Sequence, residues 1–213
     1  MYNPTQFQED RAPALLALMR DYPLATVVRQ TADGLTADHV PLLYEASDTG
    51  LGTLIGHVAK NNPLWQAPAE EELLLVFQGP STYISPNWYA TKAVHHKVVP
   101  TWNYAVVHVH CTLQAVHEPA ELLGILTTLT QHHEATQPTP WQVADAPEEF
   151  TRTLLNHIVG IRLNILRWQG KWKVSQNQPP ENRQTVVEGL MKTPTETHTE
   201  MARMVQSNNR GDT

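Results

Sequence analysis

Residues 79–112 read GPSTYISPNWYATKAVHHKVVPTWNYAVVHVHCT, and the rest of the chain is organised around them. The stretch carries two of the six tryptophans, three of the six tyrosines and four of the eleven histidines. Pro86 and Pro100 restrict the backbone just before the aromatic clusters. Residues 99–113 are predicted to form one long strand. Large flat side chains beside strand ends, with polar partners close by, suit a planar ligand.

The composition is that of an ordinary globular protein with a negative charge. A length of 213 residues is enough for one large domain with a real core. The formal net charge of −6 gives no global positive field that would draw the chain onto nucleic acid or an anionic membrane. The sequence lacks both a signal peptide and an apolar run of about 18 residues. We therefore expect a cytoplasmic protein that does not bind membranes.

Cys111 is the only cysteine, and it lies within an apolar strand pattern. A single cysteine cannot form an internal disulfide, which fits a reducing compartment. We interpret it as a small buried hydrophobic residue rather than a reactive thiol.

The order of the predicted elements favours a mainly β protein with peripheral helices, of the α+β class. The predicted strands cover residues 24–29, 36–44, 53–58, 73–78, 99–113 and 160–168. The predicted helices cover residues 10–22, 119–134, 147–158, 181–192 and 194–206. Gly79-Pro80 is predicted to end one strand, and Gln169-Gly170 to form a turn that returns the chain through residues 171–175. Few signals for parallel strands occur, so a closed or split antiparallel β-barrel is the natural architecture.

The domain organisation predicted from this order is simple. We assign residues 1–192 to the barrel domain with its helical additions, and residues 193–213 to a C-terminal helix and a frayed tail. The tail contains Arg210-Gly211-Asp212, a tripeptide known from cell adhesion, which we attribute to chance in a cytosolic tail.

His57, Lys60 and Asn61 form the first candidate site. A strand is predicted to end near His57 and a turn begins at Asn61, so Lys60 and Asn61 project where the chain reverses. Lysine supplies a point charge and three donors, while Asn and His add hydrogen bonds with little bulk. A phosphomonoester, with a charge of about −1.5 to −2, suits such donors. A solvated turn with a capping asparagine is the alternative.

Trp88-Tyr89 and Trp102-Asn103-Tyr104 form the second candidate site. Indole rings stack on flat heterocycles, and the amide of Asn103 can meet an imide-like edge. A sheet core or a subunit interface rich in Trp and Tyr explains the same residues equally well.

Ser175-Gln176-Asn177 forms the third candidate site. These three consecutive hydrogen-bonding side chains follow a strand and could hold polar ligand atoms. By themselves they are more typical of an ordinary loop.

The remaining chemistry-bearing residues do not predict a metal site or a hydrolase. His108 and His110 share one face of a strand and could chelate, but Val106 takes the next position on that face, and Cys111 points to the other. No G-x-S-x-G, Walker A or G-x-G-x-x-G motif occurs. We predict no metal, and the catalytic residues, if there are any, are unknown.

Four motifs in this order resemble the PaiB family. They are GHVAKNNPLW at 56–65, YISPNWY at 83–89 after Gly79-Pro80, VPTWNY at 99–104 and KVSQN at 173–177. The resemblance covers residues 1–192, and VPTWNY is its most specific mark. The family is described as FMN-binding negative transcriptional regulators, linked with repression of protease synthesis and sporulation genes.

The resemblance implies a fold, a cofactor and a set of contacts. It implies an FMN-binding split barrel, as a homodimer with the flavin at the subunit interface. His57, Lys60 and Asn61 would hold the phosphate. The ring would lie near Ser85, Trp88, Trp102 and Asn103, with hydrogen bonds from Ser175 and Gln176. The position after the Ser-Gln-Asn element, commonly basic in the family, is Gln178 here.

Two functions compatible with this resemblance belong to different classes. The first is an FMN-binding transcriptional regulator, although residues 194–206, which form the only plausible DNA-binding helix, offer just Arg203. DNA binding is therefore unsupported by charge, and regulation can be indirect. The second is a flavin-dependent oxidoreductase in which the flavin supplies the redox chemistry and His95, His96 and Tyr104 are candidate acids or bases. A structural dimer without flavin is the third interpretation.

Overall fold

The structure, a computed structural model, describes residues 1–208. Its strands are β1 (Gln8–Glu9), β2 (Leu24–Thr31), β3 (Gly34–Pro41), β4 (Leu43–Glu45), β5 (Thr53–Ala59), β6 (Leu73–Ile84), β7 (Thr101–Val116) and β8 (Ile158–Lys173). Its α-helices are α1 (Ala12–Asp21), α2 (Lys92–His95), α3 (Pro119–Glu134), α4 (Glu148–Leu155), α5 (Pro180–Met191) and α6 (Glu196–Ser207). The predicted Arg210-Gly211-Asp212 tail segment lies outside the described residues.

The eight strands form one sheet, in the order β3-β2-β6-β7-β8-β5-β4, with β1 added beside β8. Strand β2 pairs antiparallel with both β3 and β6, and β5 pairs antiparallel with both β4 and β8. Within residues 1–208 this path of paired strands is open. The predicted class, mainly β and antiparallel with peripheral helices, is confirmed. None of the described helices is long and apolar enough to cross a membrane.

The chain divides into two compact units. The first contains Met1–Leu18, Gln78–Val107 and the chain from Gln169 onward, and the second contains Met19–Phe77 and His108–Trp168. In the first unit α6 packs on α5, and both helices bury apolar side chains such as Val186 and Met201. In the second unit α3 packs on β5, with Ile55, Leu122 and Ile125 in the shared core. The predicted domain boundary at residue 192 stays a prediction.

Strand β6 does not end at Gly79-Pro80, so that prediction was wrong. Buried and more exposed side chains alternate regularly from Leu73 to Gln78. The next two residues, Gly79 and Pro80, are both buried, and the alternation then resumes shifted by one residue. Such a slip is what a β-bulge produces, and bulges accept proline within a strand. A Cβ on Gly79 would lie 2.9 Å from Cδ1 of Leu18, so this glycine allows α1 to lie close to the strand.

Strand β8 continues without interruption through Gln169-Gly170, so the turn predicted there was also wrong. Gly170 pairs with Glu9 of β1. A Cβ on Gly170 would lie 2.4 Å from Cδ2 of Leu15 and 2.7 Å from the carbonyl oxygen of Glu9. This glycine therefore permits close packing of a helix and a strand rather than a change of direction.

Replacing Gly170 with alanine tests this interpretation. We expect Gly170→Ala to lower the free energy of unfolding by about 1–3 kcal/mol, because a backbone oxygen must move to admit the methyl group. The control is Gly124→Ala in α3, where a Cβ meets nothing within 4 Å; it should raise the free energy of unfolding by up to about 1 kcal/mol. Urea unfolding measures both, and a Gly170→Ala protein as stable as the parent would contradict the packing role.

Candidate functional site

Lys60 and Asn61 lie, as predicted, in the turn that follows β5, and both are exposed. The backbone N–H of Lys60 donates to the carbonyl of His157 at 2.8 Å. The indole N–H of Trp65 donates to the carbonyl of Lys60 at 2.9 Å. The main chain of Lys60 is therefore held from both sides, while its ammonium group meets no hydrogen-bonding or charged partner within residues 1–208.

Asn62 fixes the shape of this turn, which is the capping role that the alternative interpretation gave to an asparagine. Its Oδ1 accepts the N–H of Leu64 at 2.8 Å, and its Nδ2 donates to Oδ1 of Asp38 at 2.7 Å. An asparagine directly before a proline at the start of a helical turn is a recognisable capping signal. Because Asn62 caps the turn, the side chain of Asn61 is left available for a ligand.

His57 contributes hydrogen bonding but no charge. It lies half-buried in β5 opposite Gly160. Burial lowers the pKa of its imidazole, so the ring is neutral at pH 7. Its Nδ1 is buried and has no hydrogen-bond partner in the described part of the chain. In this turn only Lys60 can neutralise the charge of a phosphate.

Tyr83, Trp102 and Tyr104 form an aromatic shelf in the first unit. The rings of Tyr83 and Trp102 meet edge-on with their centres 6.3 Å apart. These two side chains remain 46% and 51% exposed. A cavity of about 300 Å³ opens at the shelf, and it is lined by Gln78, Ser81, Trp102, Tyr104 and Val106. The shelf can therefore receive a planar ring.

A buried lysine lies behind the shelf. Nζ of Lys171 is 5.4 Å from the ring centre of Tyr104 and 5.5 Å from that of Tyr2. It also donates to the carbonyl of Tyr2 at 2.9 Å. Cation–π contacts of this kind hold a charge that is otherwise costly to bury. No sequence motif indicated this position, because the partners are distant in the chain.

Asn103 points away from the shelf, although it follows Trp102 directly. Successive side chains of a strand point to opposite faces, and Asn103 is only 1% exposed. Its Nδ2 donates to Oγ of Ser175 at 2.9 Å, and its Oδ1 is buried without a partner among residues 1–208. A planar ligand on the shelf can contact Trp102 but cannot reach the amide of Asn103 through the same face.

Ser175 and Gln176 are held by the fold as a tight turn. Ser175 has a φ of 64°, a left-handed conformation that is uncommon for a residue with a Cβ. Oε1 of Gln176 accepts the N–H of Val174 at 2.8 Å, and its Nε2 donates to the carbonyl of Trp172. The amide of Gln176 is thus used by the backbone, and the predicted contacts of both residues with a ligand stay predictions.

Trp88 packs against helix α5. A Cβ on Gly189 would lie 2.4 Å from Cγ of Trp88, so the indole lies directly against the helix backbone. Ser85 begins the short helical turn that carries Trp88, and its Oγ accepts the N–H of Asn87 at 3.2 Å. This packing occupies part of the indole surface that was predicted to meet a flavin.

Two further residues of α5 hold the loop after Trp88. Oδ1 of Asn182 accepts the N–H of Thr91 at 3.0 Å, and Oγ1 of Thr185 accepts the N–H of Ala90 at 3.2 Å. No sequence pattern indicated either contact, because polar residues in a helix normally indicate only an exposed face.

His110 and Cys111 have contacts that explain them without a ligand. Nδ1 of His110 lies 2.8 Å from Oε1 of Glu72, which Arg167 also contacts. Arg167 and then His110 lower the pKa of Glu72 to about 2. Burial raises the pKa of Cys111 to about 12, so its thiol is inert at neutral pH. In the described chain no three His, Cys, Asp or Glu side chains converge as metal ligands.

The nine predicted contact residues fall into two groups. His57, Lys60 and Asn61 belong to the second unit, where the turn after β5 holds them together. The first unit contains Ser85, Trp88, Trp102, Asn103, Ser175 and Gln176. Within that second group the structure joins Asn103 to Ser175 by a hydrogen bond and directs Trp102 to the opposite face of its strand.

The family model that the chain matches makes it a flavin-binding protein, and its open antiparallel sheet has the split-barrel fold. The chain belongs to the family described as "Putative FMN-binding domain", whose model matches residues 1–167. The predicted resemblance to the PaiB family is confirmed, and its cofactor is FMN or a related flavin.

Three similar proteins illustrate this membership. An uncharacterized protein of Aspergillus fumigatus is 33% identical over 258 residues, which cover 100% of this chain and 98% of that protein. The protease synthase and sporulation protein PAI 2 of Bacillus subtilis is 29% identical over 207 residues, 97% of each chain. The FAD and heme binding protein from Mycobacterium smegmatis has a similar fold, with a TM-score of 0.57 at 19% identity over 78% of this chain and 72% of that one.

Proposed function

We propose that this chain is an FMN-binding regulatory protein that represses genes of the protease and sporulation type. The observation that carries the proposal is the end-to-end match with PAI 2 of Bacillus subtilis, which covers 97% of both chains. The regulatory role would use the flavin as its ligand, since the family is defined by a flavin-binding domain.

The charges of the C-terminal helix favour indirect regulation. Arg203 is the one arginine of α6, and it forms an ion pair with Glu200 at 2.9 Å. The formal net charge of the chain is −6. Because nucleic-acid affinity comes largely from lysine and arginine contacts with phosphates, we propose that the protein acts through another molecule rather than by placing α6 in a DNA groove.

The turn after β5 is proposed to hold the phosphate of FMN. Lys60 offers an ammonium group without a partner among residues 1–208, and Asn61 offers an exposed amide on a backbone that four hydrogen bonds fix. The aromatic shelf is the proposed surface for a planar ring. The flavin supplies redox chemistry when it is bound, whereas these residues bind and orient it.

Comparing FMN with riboflavin tests the phosphate assignment. We expect the double variant Lys60→Ala, Asn61→Ala to weaken FMN binding by about tenfold or more, because it removes hydrogen bonds to a charged group. Riboflavin, which lacks the phosphate, should bind the variant and the parent alike. Flavin fluorescence titration gives both constants, with Lys192→Ala as the control for loss of one exposed charge. Equal losses for the two flavins would refute the assignment.

We also propose that the protein is a homodimer. Trp102 and Tyr83 contact each other, yet both remain about half exposed in the single chain. Large aromatic side chains in that state are typical of subunit interfaces. Light scattering should give twice the chain mass of 24.0 kDa, and Trp102→Glu should shift it toward the monomer. A mass of one chain for the parent protein would contradict the dimer.

A flavin-dependent oxidoreductase is the second candidate function. The observation that favours it is the cavity of about 300 Å³ at the aromatic shelf, because an open space beside a ring surface admits a small molecule. Of the predicted candidate acids or bases, Tyr104 lies at this cavity.

Two assays on the FMN-loaded protein decide between these functions. If the protein regulates indirectly, it should oxidise NADH or NADPH no faster than free FMN does. It should also leave promoter DNA unretarded in gels at about 150 mM salt, where weak phosphate contacts are lost. Sustained nicotinamide oxidation would favour the oxidoreductase, and retardation that persists from about 50 to about 150 mM salt would show direct DNA binding.

A further inference from the structure

A second polar cavity, of about 230 Å³, lies in the first unit. It is lined by Tyr89, Thr91, His95, Lys97, Val98, Val99, Gln178, Pro179 and Asn182. We call it the donor pocket, for the hydrogen-bonding character of its polar side chains. None of the residues that line it is an aspartate or a glutamate, although the chain has more acidic than basic residues.

His95 is held so that one particular ring nitrogen is free. Its Nδ1 accepts the backbone N–H of Lys97 at 3.0 Å. A neutral imidazole carries a single N–H, so the proton must be on Nε2. The ring that accepts this bond therefore presents a donor at Nε2.

Gln178 and Thr91 are likewise left with donors. Nδ2 of Asn182 donates to Oε1 of Gln178 at 3.1 Å and to Oγ1 of Thr91 at 3.0 Å. The acceptor oxygen of Gln178 is occupied, which orients its NH₂ group as the free end. Asn182 itself is fully used, since its Oδ1 accepts the N–H of Thr91.

Lys97 adds a positive charge at the pocket. It is exposed, and no residue from 1 to 208 forms a hydrogen bond or an ion pair with its ammonium group. His96, directly before it, has a φ of 56° and ends the short helix α2. This left-handed residue reverses the chain, so that the N–H of Lys97 meets the ring of His95.

The N-terminus of α5 adds little to the pocket. Pro179 and Pro180 carry no N–H, and the amides of Asn182 and Arg183 both bond the carbonyl of Pro179. The donors of the pocket are therefore side chains, which substitution can test one at a time.

We propose that the donor pocket binds the carboxylate or phosphate group of a small organic anion. Three oriented donors with one cation and no acidic lining residue form an arrangement that accepts anions and excludes cations. The volume of about 230 Å³ admits an acidic group and a few further atoms. Tyr89, Val98 and Val99 provide an apolar wall for those atoms.

Such a site gives the protein a ligand besides its flavin. In a regulator the anion would be the signal that the protein senses, and in an oxidoreductase it would be the substrate. The pocket residues are distinct from those assigned to the FMN phosphate, so the two assignments can fail independently.

NMR titration with inorganic phosphate and with benzoate tests the proposal. The side-chain nitrogen signals of His95 are followed at constant ionic strength, on the protein as purified and after saturation with FMN. We expect both anions to shift the His95 Nε2 signal, and the ratio of their affinities identifies the preferred acidic group. Lys97→Ala and Gln178→Glu should each weaken binding by about tenfold, because each removes a donor to an anion or adds repulsion.

Two lysine variants serve as matched controls. Lys92→Ala removes the same charge from the same segment, but Lys92 bonds Oδ1 of Asn87 and does not line the pocket; it should leave the affinity unchanged. Lys60→Ala, at the proposed FMN phosphate turn, should also leave it unchanged. Equal weakening by Lys92→Ala and Lys97→Ala, loss of binding in Lys60→Ala alone, or no shift with either anion would each overturn the proposal.

Discussion

The aromatic shelf depends on a one-residue shift in the side-chain alternation of strand β6, which occurs at Gly79-Pro80. In a regular strand Gln78 and Tyr83, five positions apart, would point to opposite faces. Because Gly79 and Pro80 are both buried, the alternation shifts by one, and Ser81 and Tyr83 come to the exposed side with Gln78. That shift brings Tyr83 to Trp102. Leu18 occupies the space where Gly79 has no side chain, so helix α1 packs closely against the strand at this point.

The alternation of β7 then divides the VPTWNY motif between two tasks. Trp102 and Tyr104 face outward to the shelf, whereas Asn103 faces inward and holds Ser175. One part of the motif therefore forms an exposed surface, and the other part stabilises the interior of the protein. The same division explains the Ser-Gln-Asn element, whose serine and glutamine bond the protein itself.

Features that depend on local sequence patterns could be predicted, whereas features that depend on contacts between distant parts of the chain could not. The limits of α3 and the turn at Lys60 follow from caps and periodicity, and the structure has both. Gly170 was misinterpreted because a glycine that permits close packing looks the same as one that permits a turn. Only the presence of Leu15 above it, from the other end of the chain, separates the two. The packing of Trp88 on Gly189 was hidden for the same reason.

At the two proposed anion sites the cation is a lysine without an ion pair, whereas most arginines of the described chain are already paired. Most arginines form ion pairs within the chain, as do Arg11, Arg20, Arg29, Arg152, Arg162, Arg167 and Arg203. An anion that approached one of these would have to compete with a carboxylate already in place. Lys60 and Lys97 have no such partner within residues 1–208, and hydrogen bonds fix the main chain at each. Binding there breaks no internal pair and orders little that is not already ordered, so an acidic protein can still bind anions at these turns.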